Sequence, residues 1–304
     1  MDRGSQYYKQ VQFLMQVLPI VSRQSCFALK GGTAINLFVR DFPRLSVDID
    51  LVYLPINGRD EALADVAQAL DAIGDDLTSL FTEINLIKAY KAKHSALRLM
   101  ISVNGIQIKV ELSPVFRGTV HHPQMMQVSP AVEDEFGYVN MPVLAMPDLY
   151  AGKICAALDR QHPRDLFDVK WLLDNQGVSE RIRKTLLVYL ASHNRPMAEL
   201  LRPKFKDISG IYGGEFATMA QTEVSLEELL AVRKRLIAVV NDGLTNDEKA
   251  FLVSFKNRSP DWTLLGLSGV SRLPAIQWKQ HNLAKMPADK HLRALEQLKE
   301  VLNI

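Results

Sequence analysis

Apolar and polar positions change their period several times along the chain. Between residues 5 and 22, Val11, Leu14, Met15 and Leu18 recur at helical spacing, and Pro19 falls in the last turn. Residues 45–54 alternate as a strand does: Ser46, Asp48 and Asp50 on one face, Val47, Ile49 and Leu51 on the other. Residues 59–73 return to a helical period that Gly74 is expected to end. A strand is predicted over 83–91. Ala96–Val103 and Ile106–Leu112 flank Asn104-Gly105, the preferred pair for a type I′ turn, and predict a hairpin. Its second strand puts Ile106, Ile108, Val110 and Leu112 on one face and Gln107, Lys109 and Glu111 on the other. Residues 117–139, with the pair His121-His122, have no period and read as loop; a last strand is expected over 138–146. From Pro147 onward the pattern is helical: one helix to Arg160, a second from Pro163 to near Asn175, then 179–192, 225–241, 245–256 and 287–302, with 257–280 rich in loop. The pattern predicts an α+β chain: a mixed-sheet core over 1–146 and a helical domain over 147–304.

Length and charge add limits. The chain's 304 residues suffice for two domains, and its net charge of +2 leaves nucleic-acid binding to a local patch. Cys26 and Cys155 lie far apart without a C-x-x-C spacing, as expected of thiols in a reducing compartment. No apolar run reaches membrane-span length and no signal-peptide core opens the chain, so no membrane association and a cytoplasmic location are expected.

The candidate chemistry lies in residues 27–54. Asp48 and Asp50 share one strand face roughly 7 Å apart at their Cα atoms, where they repel each other unless a cation lies between them. Mg²⁺ suits such oxygen ligands and is commonly held by one or two carboxylates plus substrate phosphates. Upstream, Lys30-Gly31-Gly32-Thr33 joins an apolar run to a helix-like segment over Thr33–Arg40, a place where backbone N–H groups can approach a phosphate. Val110-Glu111-Leu112 offers a third carboxylate, though Lys109 and Glu111 also read as an ordinary solvated strand face.

These residues resemble the signature of the DNA polymerase beta-like nucleotidyltransferases: an apolar residue with Gly-Gly (Leu29-Lys30-Gly31-Gly32), a short helix, then Asp-x-Asp (Val47-Asp48-Ile49-Asp50-Leu51). The wording Lys-Gly-Gly-Thr-Ala followed by Arg-x-Ser-x-Asp-Ile-Asp-Leu is similar to the AbiEii/MenT branch, the toxins of type IV toxin–antitoxin and abortive-infection systems. The interval from Gly32 to Asp48 is longer than usual for the superfamily. The resemblance implies a polymerase beta-like core and transfer of nucleotides from an NTP, with release of pyrophosphate, to the 3′ end of tRNA, blocking translation. It implies Asp48, Asp50 and Glu111 as ligands of two Mg²⁺ or Mn²⁺ ions, and Lys30, Gly31, Gly32, Thr33 and Ser46 as contacts to the nucleotide. It also implies an antitoxin encoded nearby, with no direct complex required. Other readings are nucleotide transfer to a protein or small molecule, and a nucleotide- or RNA-binding protein without turnover.

A second charged group, Lys153, Arg160, Arg164, Asp165 and Asp168, falls in the first helical pair. The resemblance assigns Lys153 and Asp165 to the active site and the helical domain to completing its groove. Arg164 is a further candidate for the nucleotide phosphates, and Asp165 or Asp168 for orienting Lys153. The i,i+4 pairs Arg164–Asp168 and Arg160–Arg164 also read as ordinary helix-surface charges, as runs of charge commonly are. Finally, Lys256, Arg258, Arg272, Lys279, Lys285, Lys290 and Arg293, interleaved with Trp262 and Trp278, suit either RNA contact or, for the two indoles, helix packing.

Overall fold

The structure is a computed structural model and describes residues 3–93 and 96–304. The chain divides into two compact units, Met1–Ala145 with Thr218–Glu223, and Met146–Ala217 with Val224–Ile304.

The first unit is built on a seven-stranded mixed sheet. Its strands are β1 (Phe27–Lys30), β2 (Asp48–Tyr53), β3 (Ile84–Lys88), β4 (Arg98–Val103), β5 (Ile106–Arg117), β6 (Gln124–Gln127) and β7 (Asn140–Val143), ordered β3-β4-β5-β2-β1-β7-β6. β2 pairs parallel to β5, and β1 parallel to β7; the other pairs are antiparallel. Helix α1 (Gln6–Val21) starts where the Ser5 hydroxyl accepts the Tyr8 N–H, continues through Pro19, and buries Val11, Leu14, Val17 and Leu18. A one-turn α2 (Gly31–Thr33) runs into a π-helical stretch, Ala34–Val39. Helices α3 (Arg59–Leu80), α4 (Ala89–Ala92) and α5 (Pro130–Phe136) complete the unit.

Three sequence expectations differ here. Gly74 does not end α3, which runs on to Leu80. The methylenes of Lys88 occupy the space over the glycine, where an added Cβ would stand 3.1 Å from Lys88 Cε. The strand predicted over 83–91 stops at Lys88 and turns into α4. Residues 117–139 are not all loop: β6 pairs with β7, and Pro130 at the first turn after Ser129 opens α5. The Asn104-Gly105 turn forms as expected, with φ of +49° and +77°.

One return was not signalled. Residues 218–223 belong to the first unit although the chain has left it long before. The Leu45 N–H donates to the Met219 carbonyl at 2.8 Å, the Gln221 N–H to the Pro43 carbonyl at 2.9 Å, and Arg44 bridges Ala220. This strap holds the segment that leads into β2.

The second unit is helical: α6 (Met146–Arg160), α7 (Pro163–Asn175), α8 (Glu180–Ser192), α9 (Met197–Leu201), α10 (Ser209–Ile211), α11 (Leu226–Asp242), α12 (Asn246–Lys256), α13 (Pro274–Ala284) and α14 (Ala288–Leu302). Ser225 with Glu228 and Thr245 with Glu248 form capping boxes that fix the starts of α11 and α12. Buried Glu248 also receives Arg183 Nε at 2.8 Å, which ties α12 to α8. The stretch read as loop over 257–280 contains most of α13, opened by Pro274.

Candidate active site

Strand register brings the charges of the first unit into rows. Asp50 on β2 stands opposite Lys30 on β1 and opposite Glu111 on β5, and Glu111 stands opposite Arg98 on β4. Paired residues share a face, so Lys30, Asp50, Glu111 and Arg98 form one row across four strands, two acids flanked by two cations. The neighbouring row sets Asp48 opposite Lys109. The carboxylates keep access to solvent, with 38% of the Asp48 and 31% of the Glu111 side chain exposed. Ile49 and Leu51 on β2 and Val110 on β5 are buried beneath.

Glu111 is held from two sides. Arg98 donates to its Oε1 through both Nε and Nη2, and Lys109 Nζ lies 2.8 Å from its Oε2. Burial works against its charge, but Lys109 and Arg98 outweigh that and hold its pKa below the ordinary glutamate value. For Lys109 burial again opposes the charge, and Glu111, Asp48 and Asp50 lift its pKa above the usual lysine value. Arg98 was not among the sequence candidates. A two-residue turn at Asn104-Gly105 pairs residues outward from Val103 and Ile106, and counting back along it reaches Arg98 opposite Glu111.

The paired glycines lie against this row. Gly31 has φ of +76°, and a Cβ there would stand 2.7 Å from Asp50 Oδ2. A Cβ on Gly32 would stand 2.7 Å from Arg44 Nη2 and 2.9 Å from Ser46 Oγ. The turn therefore needs glycine because the protein's own carboxylate and guanidinium crowd it. Arg44 is 2% exposed and donates to the Leu45 carbonyl at 2.8 Å. The Arg-x-Ser-x-Asp spacing was its only sequence signal. Thr33 and Ser46 are both buried: the Thr33 hydroxyl donates to the Asp48 carbonyl at 2.5 Å and lies 3.1 Å from Ser46 Oγ. They fasten the helix start to the first residue of β2.

In the second unit Lys153 and Asp165 do come together, with Asp168. Lys153 Nζ is 2.9 Å from Asp165 Oδ1 and 2.9 Å from Asp168 Oδ2, all three side chains being almost wholly buried. Arg160 adds a two-pronged contact to Asp165 from a largely exposed position. Burial raises the Asp165 pKa, but Lys153 and Arg160 reverse this and hold it far below the carboxylate range. This group is an interior ion cluster of α6 and α7, so the reading of these charges as a solvated helix face does not hold for Lys153, Asp165 and Asp168. Arg164 stands apart from it, its Nη2 3.8 Å from Glu215.

The basic C-terminal stretch divides. Lys279 is not a free surface cation: its ammonium donates to the His193 carbonyl at 2.5 Å, just past the end of α8, and burial lowers its pKa to about 8. Lys256 is buried at the end of α12. Trp262 packs on Phe251 and Phe255 in the helical core, whereas Trp278 is half-exposed and stacks on His281 with 24° between the rings.

The carboxylates Asp48, Asp50 and Glu111 offer oxygen donors of the kind a hard divalent cation takes, with Arg98 and Lys109 as competing cations beside them. Among the described residues no three His, Cys, Asp or Glu side chains form a ready metal cage, and Glu111 is engaged by Arg98 and Lys109. Among them, too, no helix is long and apolar enough to cross a membrane.

Comparison with known proteins bears on this geometry. The family model described as nucleotidyl transferase AbiEii toxin, type IV toxin–antitoxin system, matches residues 12–281. Among solved structures, MenT4, a nucleotidyltransferase toxin from Mycobacterium tuberculosis H37Rv, superposes with a TM-score of 0.62 at 13% identity, covering 93% of this chain and 95% of that one. The two share a fold. No curated protein matches the chain by sequence.

Proposed function

Because the chain belongs to the AbiEii family of nucleotidyltransferase toxins, we propose that the Asp48–Asp50–Glu111 group is its catalytic centre and that tRNA is the acceptor of the transferred nucleotide. The observation that carries the reading is the register of β1, β2 and β5, which puts Asp50 and Glu111 side by side with Gly31 against Asp50. Asp48 and Asp50 would hold Mg²⁺ together with triphosphate oxygens, and Glu111 would join them on the acceptor side. When bound, the metal supplies charge neutralisation at the phosphates and acidifies the attacking hydroxyl.

The chain's own residues do the rest. Lys30 stands at the edge of the row and neutralises phosphate charge as a mobile point charge. Gly31 brings backbone close to Asp50 and Gly32 to Arg44 and Ser46, and Thr33 and Ser46 fix the backbone that carries Asp48. Asp50 or Glu111 accepts the proton of the acceptor hydroxyl. In the helical unit, the family resemblance supports Lys153, held by Asp165 and Asp168, and Arg164 as cations for the nucleotide phosphates. An antitoxin is the expected cognate partner. Transfer to a protein is the rival reading.

Incubating the purified protein with total tRNA and each labelled NTP in turn tests the proposal. Label enters tRNA from one or more NTPs, and Asp48→Ala and Asp50→Ala abolish incorporation while leaving the melting curve intact, because loss of one of two repelling carboxylates does not weaken the fold. Undiminished incorporation by either variant removes the catalytic assignment; label in protein instead of tRNA selects the rival.

A further inference from the structure

We propose that the Lys109 ammonium is the resident counter-ion of the carboxylate group and that a divalent cation must displace it, so that Lys109 sets the metal affinity of the site. The inference rests on the metal reading above.

Lys109 lies directly opposite Asp48 across the parallel β2–β5 pair. Its Nζ is 2.8 Å from Glu111 Oε2 and 3.8 Å from Asp48 Oδ1, between two of the three acids to which a divalent cation would bind. The side chain cannot turn to the other face, because Ile108 and Val110 fill the core there. It can only swing outward on its own face, and a four-carbon stem with a single charged head permits that. When it leaves, Arg98 remains on Glu111.

Two consequences follow from charge alone. In metal-free protein the ammonium relieves the repulsion among Asp48, Asp50 and Glu111. In metal-bound protein it is a positive charge beside another positive charge, so it lowers affinity below what the three acids alone would give. A lysine whose stem merely packs between the strands, its charge directed elsewhere, would have neither effect.

Mn²⁺ titration without nucleotide, read from the free-ion paramagnetic resonance signal, separates these cases. Wild type, Lys109→Met, Lys109→Arg and Asp48→Asn are compared at one pH. Lys109→Met tightens Mn²⁺ binding about tenfold or more, the scale expected when a unit charge a few ångström from an ion site is removed. Lys109→Arg stays near wild type, and Asp48→Asn weakens binding. In EDTA the Lys109→Met protein melts below wild type, and Mn²⁺ closes the gap; Lys109→Gln replaces it if the methionine variant does not fold. Wild-type Mn²⁺ binding with an unchanged or weaker constant in both uncharged variants overturns the inference and leaves the metal reading standing. If no form, wild type included, takes up Mn²⁺ either alone or with a non-hydrolysable NTP analogue, the metal reading fails and takes the inference with it.

Discussion

At the scale of single residues, the cluster around Lys153 shows how burial changes the meaning of a charge. A cation wedged between two buried carboxylates cannot be removed without leaving acid in the interior, so Lys153→Ala is a stability mutation before it is an activity mutation. Urea unfolding of the helical unit should show a loss of roughly 3 kcal/mol, near the lower bound for breaking a buried pair because Arg160 still serves Asp165. Lys153→Ala with an unchanged urea midpoint would mean that the cluster is hydrated and open. The acids Asp48, Asp50 and Glu111 were legible in the sequence because a period of two announces which residues share a face. That Lys153 belongs with Asp165 was implied by family resemblance. Its burial was not legible, since a helical run of charge looks the same whether it faces solvent or another helix. Arg44 was hidden for a related reason: a lone arginine in a loop carries no sign that a glycine turn will pack over its guanidinium.

At the scale of elements, the junction of α3, β3 and α4 depends on Asp71. Lys88 reaches it at 2.7 Å, Lys91 at 2.5 Å and the Tyr90 hydroxyl at 3.1 Å. Burial raises the Asp71 pKa, but these donors outweigh it and bring it to about 2. The folded value lies below the unfolded one, about 3.9, so the contribution is full above that value and is lost as pH falls towards 2. The melting temperature of Asp71→Asn should therefore lie below wild type by a constant margin above about pH 5, and the margin should close towards pH 2; a margin that persists at pH 2 would assign the effect to packing. The same junction explains why the end of α3 was misread. Gly74 stops an isolated helix, but here the methylenes of Lys88 lie over it, and that neighbour comes from fourteen residues further along the sequence. The hairpin was read correctly because Asn104-Gly105 is a local device. β6, by contrast, exists only through β7, and its Gln-Met-Met-Gln carries no alternation of its own.

At the scale of the molecule, the change from sheet to helix near residue 146 was visible in the sequence, but the return of 218–223 to the first unit was not, because six residues of backbone pairing leave no pattern. Replacing Thr218–Glu223 by a glycine–serine linker should leave the helices of the second unit formed and abolish hydrogen-exchange protection at the Leu45 amide, whose acceptor is the Met219 carbonyl. Retained protection at Leu45 would show that the strap is incidental. The strap also sets a timetable. A ribosome delivers the acid strand early, then makes all of Met146–Ala217 before the residues that steady its approach emerge, a delay of several seconds at about 5–20 residues per second. A message truncated anywhere between codons 112 and 218 thus encodes Asp48, Asp50 and Glu111 without the tie behind Arg44 and Leu45.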